Sequence, residues 1–194
     1  MDNSLESIDL SHNNLTTDFM KQLRSFTSKY TIGLTSINLS HNFIGDDSGS
    51  TIVLFLKDSP SITSLDISYN PLGDEASHTI LKSIYNGCQL VTLKMNGVGA
   101  GNKAAKAAAN IIANSTVLKS LSLASNSISD EGGIPIARAL ITNSTLTALL
   151  LQDNEMRDTA AEAFSEALSR NETLEVCDLT NNEFEVKAYK IAQD

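Results

Sequence analysis

A spaced set of apolar positions recurs along almost the whole chain. Residues 118–128, LKSLSLASNSI, show the unit, with leucine or isoleucine at positions 118, 121, 123 and 128. Leu121 and Leu123 are two residues apart, so both point to the same face of a short strand. Copies of this unit begin every 28 or 29 residues, at Leu5, Leu34, Ile62, Leu90, Leu118, Leu146 and Leu174. The pattern therefore predicts about seven repeats, each contributing one strand.

An asparagine stands near the end of every unit except the fourth, where Val98 replaces it. A strand that ends leaves backbone N–H and C=O groups without ladder partners, and a buried amide side chain can satisfy both kinds of group. We therefore predict a stacked ladder of structural asparagines, formed by Asn13, Asn42, Asn70, Asn126, Asn154 and Asn182.

Between the strand units the apolar spacing changes from two residues to three or four, which indicates helices. Good N-cap residues follow six of the units, and their side-chain oxygens are expected to accept from helix N–H groups. These residues are Thr17, Asp46, Asp74, Asn102, Asp130 and Asp158. Asn143 and Asn171 are predicted to mark helix C-terminal ends. Each repeat is thus strand, turn, helix and turn, which requires parallel strands.

The pattern LxxLxLxxNx(L/I/F/M) in units of 28–29 residues resembles the leucine-rich repeat, in its ribonuclease-inhibitor-like class. The resemblance implies an α/β fold, a right-handed solenoid shaped like a horseshoe, over a single domain spanning residues 1–194. Strands pack about 4.8 Å apart, whereas helices need about 8–10 Å. The strands should therefore line the concave face and the helices the convex face.

Composition narrows the classes of partner and the cellular compartment. The net charge of −9 argues against nucleic acid and anionic membranes. No apolar run approaches the roughly 18 residues of a membrane span, and the start, MDNSLESIDL, has no signal-peptide pattern. The two cysteines, Cys88 and Cys177, lie three repeats apart and should be reduced. We expect a cytoplasmic protein, or one in a host cytoplasm if it is an effector secreted without a signal peptide.

The negative charge is concentrated near the C-terminus. Residues 150–185 contain ten acidic side chains and only two basic ones, Arg157 and Arg170, which gives this segment a charge of −8. Two interpretations remain open. The acids either cap helices and solvate the outer face, or they form an acidic end that attracts a basic partner.

The side chains around each strand predict a partner-binding surface on the concave face. The position between the two strand leucines and the position before the asparagine should both face the partner. Tyr69 and Leu150 are the large side chains in these columns, and acids flank Leu150. The predicted partner-binding residues are His12, His41, Asp66, Tyr69, Lys94, Leu150, Asp153 and Asp178.

Two kinds of ligand chemistry are considered and set aside. His12 and His41, with Asp9 and Asp66 nearby, could in principle hold zinc, but SHN after a leucine-rich strand is a common sequence at an exposed site. The glycine-rich turn at residues 97–101 has the spacing GxGxG rather than the GxGxxG of a dinucleotide site. We therefore predict no metal, no cofactor and no catalytic residue.

These patterns favour a non-catalytic protein-interaction module that binds a protein or peptide. A partner with a basic surface is expected if the acidic end takes part in binding. The module could serve as a regulatory scaffold or as an effector of an intracellular pathogen. Alternatives are a GTPase regulator similar to the Ran GTPase-activating proteins, and a structural spacer within a larger repeat protein. The first strand is predicted to be an open edge, which would allow pairing through uncapped ends, although the oligomeric state is not determined.

Overall fold

A computed structural model describes residues 5–27, 29, 33–84 and 88–185 of this chain. Among them, strands alternate with helices, as the repeat pattern predicts. The strands are β1 (Ser7–Asp9), β2 (Ser36–Asn38), β3 (Ser64–Asp66), β4 (Thr92–Lys94), β5 (Ser120–Ser122), β6 (Ala148–Leu150) and β7 (Val176–Asp178). The helices are α1 (Thr17–Thr27), α2 (Gly49–Asp58), α3 (Gly73–Ile84), α4 (Asn102–Asn114), α5 (Asp130–Leu140) and α6 (Asp158–Leu168), with a 3-10 turn at Asp46–Ser48 before α2.

The seven strands form one open parallel sheet in chain order, from β1 to β7. The register pairs equivalent residues of successive repeats, so that Leu65 lies beside Leu93 and Leu93 beside Leu121. Like residues therefore stack in columns that run across the sheet. The predicted fold class, an α/β leucine-rich-repeat solenoid of about seven repeats, is confirmed.

The core is a continuous layer between the sheet and the row of helices. The middle residue of each inner strand points into it; Leu93, Leu121 and Leu149 are all fully buried. Phe55 and Phe164 fill the same layer from the helix side. At the first repeat, by contrast, Leu5 is 56% exposed, because no described element packs against the outer side of β1.

The asparagine side chains satisfy backbone groups where the strands end. The Asn42 amide donates to the carbonyls of Leu10 and Leu39, at 3.0 and 2.9 Å, and its oxygen accepts from the N–H of Leu15. The same kinds of hydrogen bond, to a carbonyl and from an N–H of the preceding repeat, are made by Asn70, Asn126, Asn154 and Asn182. Asn13 begins the series and donates only within its own repeat, to Leu10 and Ser11. From Asn42 onwards, each amide thus ties two neighbouring repeats together.

The fourth repeat replaces the missing amide by a local rearrangement. Val98 is buried and has no polar side chain, so the N–H of Leu72 donates instead to the carbonyl of Asn70, at 2.8 Å. Asn126 accepts from two backbone N–H groups, those of Val98 and Ala100, at 3.1 and 2.9 Å. The Asn126 oxygen therefore accepts two backbone hydrogen bonds, whereas the oxygen of Asn42, Asn70, Asn154 or Asn182 accepts one.

The predicted N-cap residues have a different role from the one expected. Asp130 and Asp158 are the first residues of their helices, and α5 and α6 have no side-chain cap of their own. Their carboxylates instead accept from the next repeat: Asp130 from the N–H of Arg157, at 2.7 Å, and Asp158 from that of Glu185, at 2.8 Å. The expectation was wrong about which helix is capped, because parallel stacking brings each helix start within reach of the preceding carboxylate.

A second set of side-chain contacts lies at the opposite turns. Asn143 donates to the carbonyl of Ile112 in α4, at 2.6 Å, and Asn171 donates to that of Leu140 in α5, at 2.6 Å. These carbonyls belong to the last turns of helices and have no partner within the helix. Asn143 and Asn171 therefore do mark helix ends, again those of the preceding repeat.

Both cysteines are free and partly buried. Burial, together with the nearby Asp178 carboxylate, raises the pKa of Cys177 to about 11, and burial also raises the pKa of Cys88. Within the described residues, no helix has the length and apolar character needed to cross a membrane.

We predict that Asn126→Ala lowers the free energy of unfolding by about 1–3 kcal/mol, because buried backbone groups lose their partner. Ser127→Ala is the matched control, since Ser127 is exposed and only one residue away. Urea denaturation followed by circular dichroism measures both variants. Equal midpoints would show that the amide has no structural role.

Candidate functional site

The concave face presents one column of side chains from the last residue of each strand. Ser122 is buried in this column, Asp66, Leu150 and Asp178 are half-buried, and Lys94 is exposed. The ammonium of Lys94 lies 3.7 Å from the carboxylate of Asp66 on the adjacent strand. Four of the predicted partner-binding residues, namely Asp66, Lys94, Leu150 and Asp178, therefore lie in this column.

A second column lies three residues after each strand, where the chain turns away from the sheet. Its members have positive φ angles, between 54° and 58°, and they are His12, His41, Tyr69, Gly97, Ser125, Asp153 and Asn181. A left-handed conformation is uncommon for residues other than glycine. Here it is imposed seven times by the same turn. Except at Gly97, each turn directs one side chain to the edge of the concave face.

Three of these side chains form a continuous stack of rings. The centroids of His12 and His41 are 4.1 Å apart with an interplanar angle of 11°, and those of His41 and Tyr69 are 4.4 Å apart with an angle of 20°. The stack ends on Gly97, because a Cβ added there would lie 2.5 Å from the Tyr69 ring. The parallel register therefore joins His12, His41 and Tyr69 into one surface feature.

Asp9 is the carboxylate that the sequence places near His12 and His41. Asp9 uses its carboxylate to accept from the backbone N–H of Ser11, at 2.9 Å. Hydrogen bonds from the Ser11 side chain and backbone hold the pKa of Asp9 below its ordinary value. Among the described residues, no group of three histidine, cysteine or acidic side chains could hold a metal ion.

Within residues 150–185, the last repeats form an acidic surface whose two arginines are already engaged in ion pairs. Arg157 pairs with Glu183 at 2.8 Å, and Arg170 pairs with Glu166 at 2.9 Å. On the concave side, Asp153 accepts from the amide of Asn181, at 3.0 Å, and remains exposed. The segment therefore combines a carboxylate that accepts from the backbone of the next repeat, Asp158, with a concave acidic surface.

The arginines bear on the GTPase-regulator alternative. Arg24 lies in α1 and pairs with Asp58 at 3.1 Å, while Arg138 lies in α5. Arg157 and Arg170 flank α6 and form the ion pairs described above. All four arginines therefore belong to the helical side or its borders, away from the strand columns.

Phe43 is an exposed residue that sequence reasoning missed. It directly follows a ladder asparagine, and its side chain is 62% exposed. The same position elsewhere holds small or polar residues, namely Asn14, Pro71, Gly99, Ser127, Glu155 and Glu183. That contrast was available in the sequence. However, the sequence did not show whether the Phe43 side chain is buried or exposed, because that depends on the geometry of the turn.

Comparisons with known proteins agree with this architecture. A family model described as Leucine Rich repeat matches residues 34–53, 58–76, 114–137 and 142–165, and a second, Leucine Rich Repeat, matches residues 4–26. Together they cover more than half of the chain. The chain belongs to the leucine-rich repeat family. A search of curated proteins finds no match.

Solved structures show the same fold at low sequence identity. The leiomodin-1 actin-binding site 2 has a TM-score of 0.57 and 17% identity, covering 89% of this chain and 82% of that one. The tropomodulin C-terminal domain of Caenorhabditis elegans has a TM-score of 0.57 and 11% identity, covering 89% and 88%. An internalin from Listeria monocytogenes has a TM-score of 0.55 and 16% identity, covering 98% of this chain and 53% of that one. At these identities the likeness establishes the fold alone.

We predict that Gly97→Ala is more destabilising than Gly73→Ala. Both glycines have positive φ, of 58° and 71°, which costs an alanine about 1–2 kcal/mol. Only at Gly97 would the new Cβ also collide with the Tyr69 ring, since nothing lies within 4 Å at Gly73. Urea denaturation measures both variants.

Combining each glycine variant with Tyr69→Ala tests the cause. The difference between Gly97→Ala and Gly73→Ala should largely disappear once the ring is removed. A difference that persists in the Tyr69→Ala background would show that the ring contact does not explain it.

Proposed function

We propose that this chain is a non-catalytic protein-interaction module that binds a protein or peptide on its concave strand face. The observation that supports it is the unbroken parallel sheet, whose register places variable side chains in rigid columns. Side chains held at fixed spacing lose little conformational entropy when a partner binds. The leucine-rich repeat fold is typical of protein-interaction scaffolds.

Tyr69 and Leu150 are the anchors that we propose for the partner. Tyr69 is 45% exposed and is held in place by His41 on one side and Gly97 on the other. Leu150 is a half-buried aliphatic residue between Ser122 and Asp178 in the strand column. A large, pre-positioned side chain is the kind that dominates binding energy at interfaces. We propose that the partner contacts repeats three to seven.

The acidic columns near Leu150 favour a partner with basic residues. Asp153 and Asp178 lie on the concave side, within a segment of charge −8 whose two arginines are paired. Attraction between opposite charges accelerates encounter and helps to orient the partner. Lys94, Asp66, His12 and His41 extend the polar surface towards the first repeat.

The similar structures support the fold on which this proposal rests, and they identify no partner for this chain. Leiomodin-1 is described as having an actin-binding site, and the internalin comes from a bacterium. We propose no actin binding for this chain, because the likeness is one of fold. We propose a cytoplasmic location, with which the two free cysteines are consistent. If the chain is a secreted effector, the corresponding location is the cytoplasm of the host.

We predict that Tyr69→Ala and Leu150→Ala weaken binding of the natural partner by about tenfold or more, as interface anchors do. The partner is first captured from lysate with the immobilised chain and identified by mass spectrometry, and its affinity is then measured by calorimetry. Both variants should unfold close to the wild-type temperature, because neither side chain belongs to the buried core. Normal affinity in both would place the partner elsewhere.

We further predict that Asp153→Asn slows association, whereas Glu162→Gln does not. Each change removes one exposed negative charge and keeps the side-chain shape, but Asp153 faces the concave side and Glu162 lies on α6. Stopped-flow association rates should also fall as salt rises, because ions screen the attraction. The opposite order of the two variants would indicate a convex binding site.

A further inference from the structure

A shallow apolar depression lies beside the concave face, on the turn side of repeats two to four. It is lined by Phe43, Tyr69, Pro71, Gly73, Gly97 and Gly99, together with neighbouring backbone. Only Tyr69 among these belongs to the proposed strand-face site. The depression is therefore a separate feature of the surface.

The depression exists because glycines replace side chains at successive turns. Gly73, Gly97 and Gly99 have φ angles of 71°, 58° and 76°, and a Cβ at Gly99 would be 3.5 Å from the Cα of Gly73. Bare backbone thus forms the floor. Tyr69 forms one wall, and its ring stacks on His41 and lies close to Gly97.

Phe43 supplies the other wall and is held there by its backbone. Its N–H donates to the carbonyl of Leu15, at 2.8 Å, and the bridge between Thr16 and Phe43 fixes the turn. The ring is not part of the buried core and is 62% exposed. An aromatic ring exposed to solvent offers a π face to a ligand.

The charges around the depression indicate what kind of ligand suits that ring. Five carboxylates lie on the segments that flank the lining residues, and they are Asp46, Asp47, Asp66, Asp74 and Glu75. The cations on those segments, Lys94 and Lys103, are already paired with Asp66 at 3.7 Å and with Glu75 at 2.6 Å. The surroundings are therefore net negative, with Asp46 exposed three residues after Phe43.

We propose that this depression binds an arginine side chain of a protein partner, with the guanidinium stacked on Phe43 and directed towards the Asp46 carboxylate. A guanidinium is planar and weakly hydrated, so it stacks on aromatic rings while pairing with a carboxylate at its edge. The ammonium of lysine is a compact and strongly hydrated charge, with no planar face to stack on the ring. An aliphatic side chain would gain nothing from the surrounding negative charge. The inference rests on the proposed function and names one residue type through which the partner is recognised.

The test is a nuclear magnetic resonance titration of the ¹⁵N-labelled chain with three blocked pentapeptides, each Gly-Gly-X-Gly-Gly. X is arginine, its neutral isostere citrulline, or leucine. The arginine peptide should shift the amide signals of Gly73, Gly97 and Gly99, and the citrulline and leucine peptides should bind at least about fivefold more weakly. Equal binding of the leucine peptide would show an apolar pocket instead. Shifts confined to residues 150–185 would show only general attraction of a cation. Either outcome overturns the proposal.

Variants separate the ring face from simple apolar contact. Phe43→Leu retains apolar bulk but removes the π face, so it should weaken the arginine peptide about fivefold. Asp46→Asn should weaken it as well, and both changes are at exposed positions that leave the fold intact. Wild-type affinity in Phe43→Leu would overturn the stacking.

Leu150→Ala separates this inference from the proposed function. It should bind the arginine peptide as the wild-type chain does, because Leu150 lies on β6, away from the depression. If the peptide fails to bind while Leu150→Ala impairs the natural partner, only the arginine site is wrong. If the peptide binds and Leu150→Ala has no effect on the partner, the strand-face site is wrong.

Discussion

Stacking repeats in parallel register imposes one requirement on the whole molecule: the backbone groups freed at the end of each three-residue strand must be hydrogen-bonded inside the stack. An asparagine amide meets it, because the side chain donates to carbonyls and accepts from an N–H at the same time. The oxygen of Asn126 accepts from two N–H groups of the fourth repeat, those of Val98 and Ala100. The fourth repeat can lack its own asparagine because its neighbour and the local turn compensate for it.

Side chains outside the ladder also form hydrogen bonds with backbone groups of the neighbouring repeat. Asp130 and Asp158 cap the starts of the following turns, and Asn143 and Asn171 satisfy carbonyls of the preceding helices. Each repeat thus completes the hydrogen bonds of its neighbours. Such nearest-neighbour coupling makes a solenoid cooperative although each repeat contacts only the repeats beside it. It also keeps the columns of the concave face at a fixed spacing, which is what a binding surface requires.

The turn after each strand connects the fold to its proposed functions. Seven residues there adopt a left-handed conformation, and the side chains project at the edge of the sheet. His12, His41 and Tyr69 stack in that column, and Gly97 leaves space for the last ring. Phe43 lies just beyond the same turn, exposed and unattached to the core. One geometric constraint therefore positions both the strand-face anchor and the neighbouring depression.

The sequence by itself determined the architecture, because its repeat length, its strand leucines and its asparagines each depend on local spacing. It also placed Tyr69, Lys94, Leu150 and Asp178 in columns, since a parallel register aligns equivalent positions. Only the tertiary structure decided which helix a carboxylate such as Asp130 caps, because that depends on the offset between neighbouring repeats. It alone also decided that Phe43 faces solvent while Ile44, the next residue, is buried. The direction of a side chain in a turn is set by backbone angles that apolar spacing does not specify.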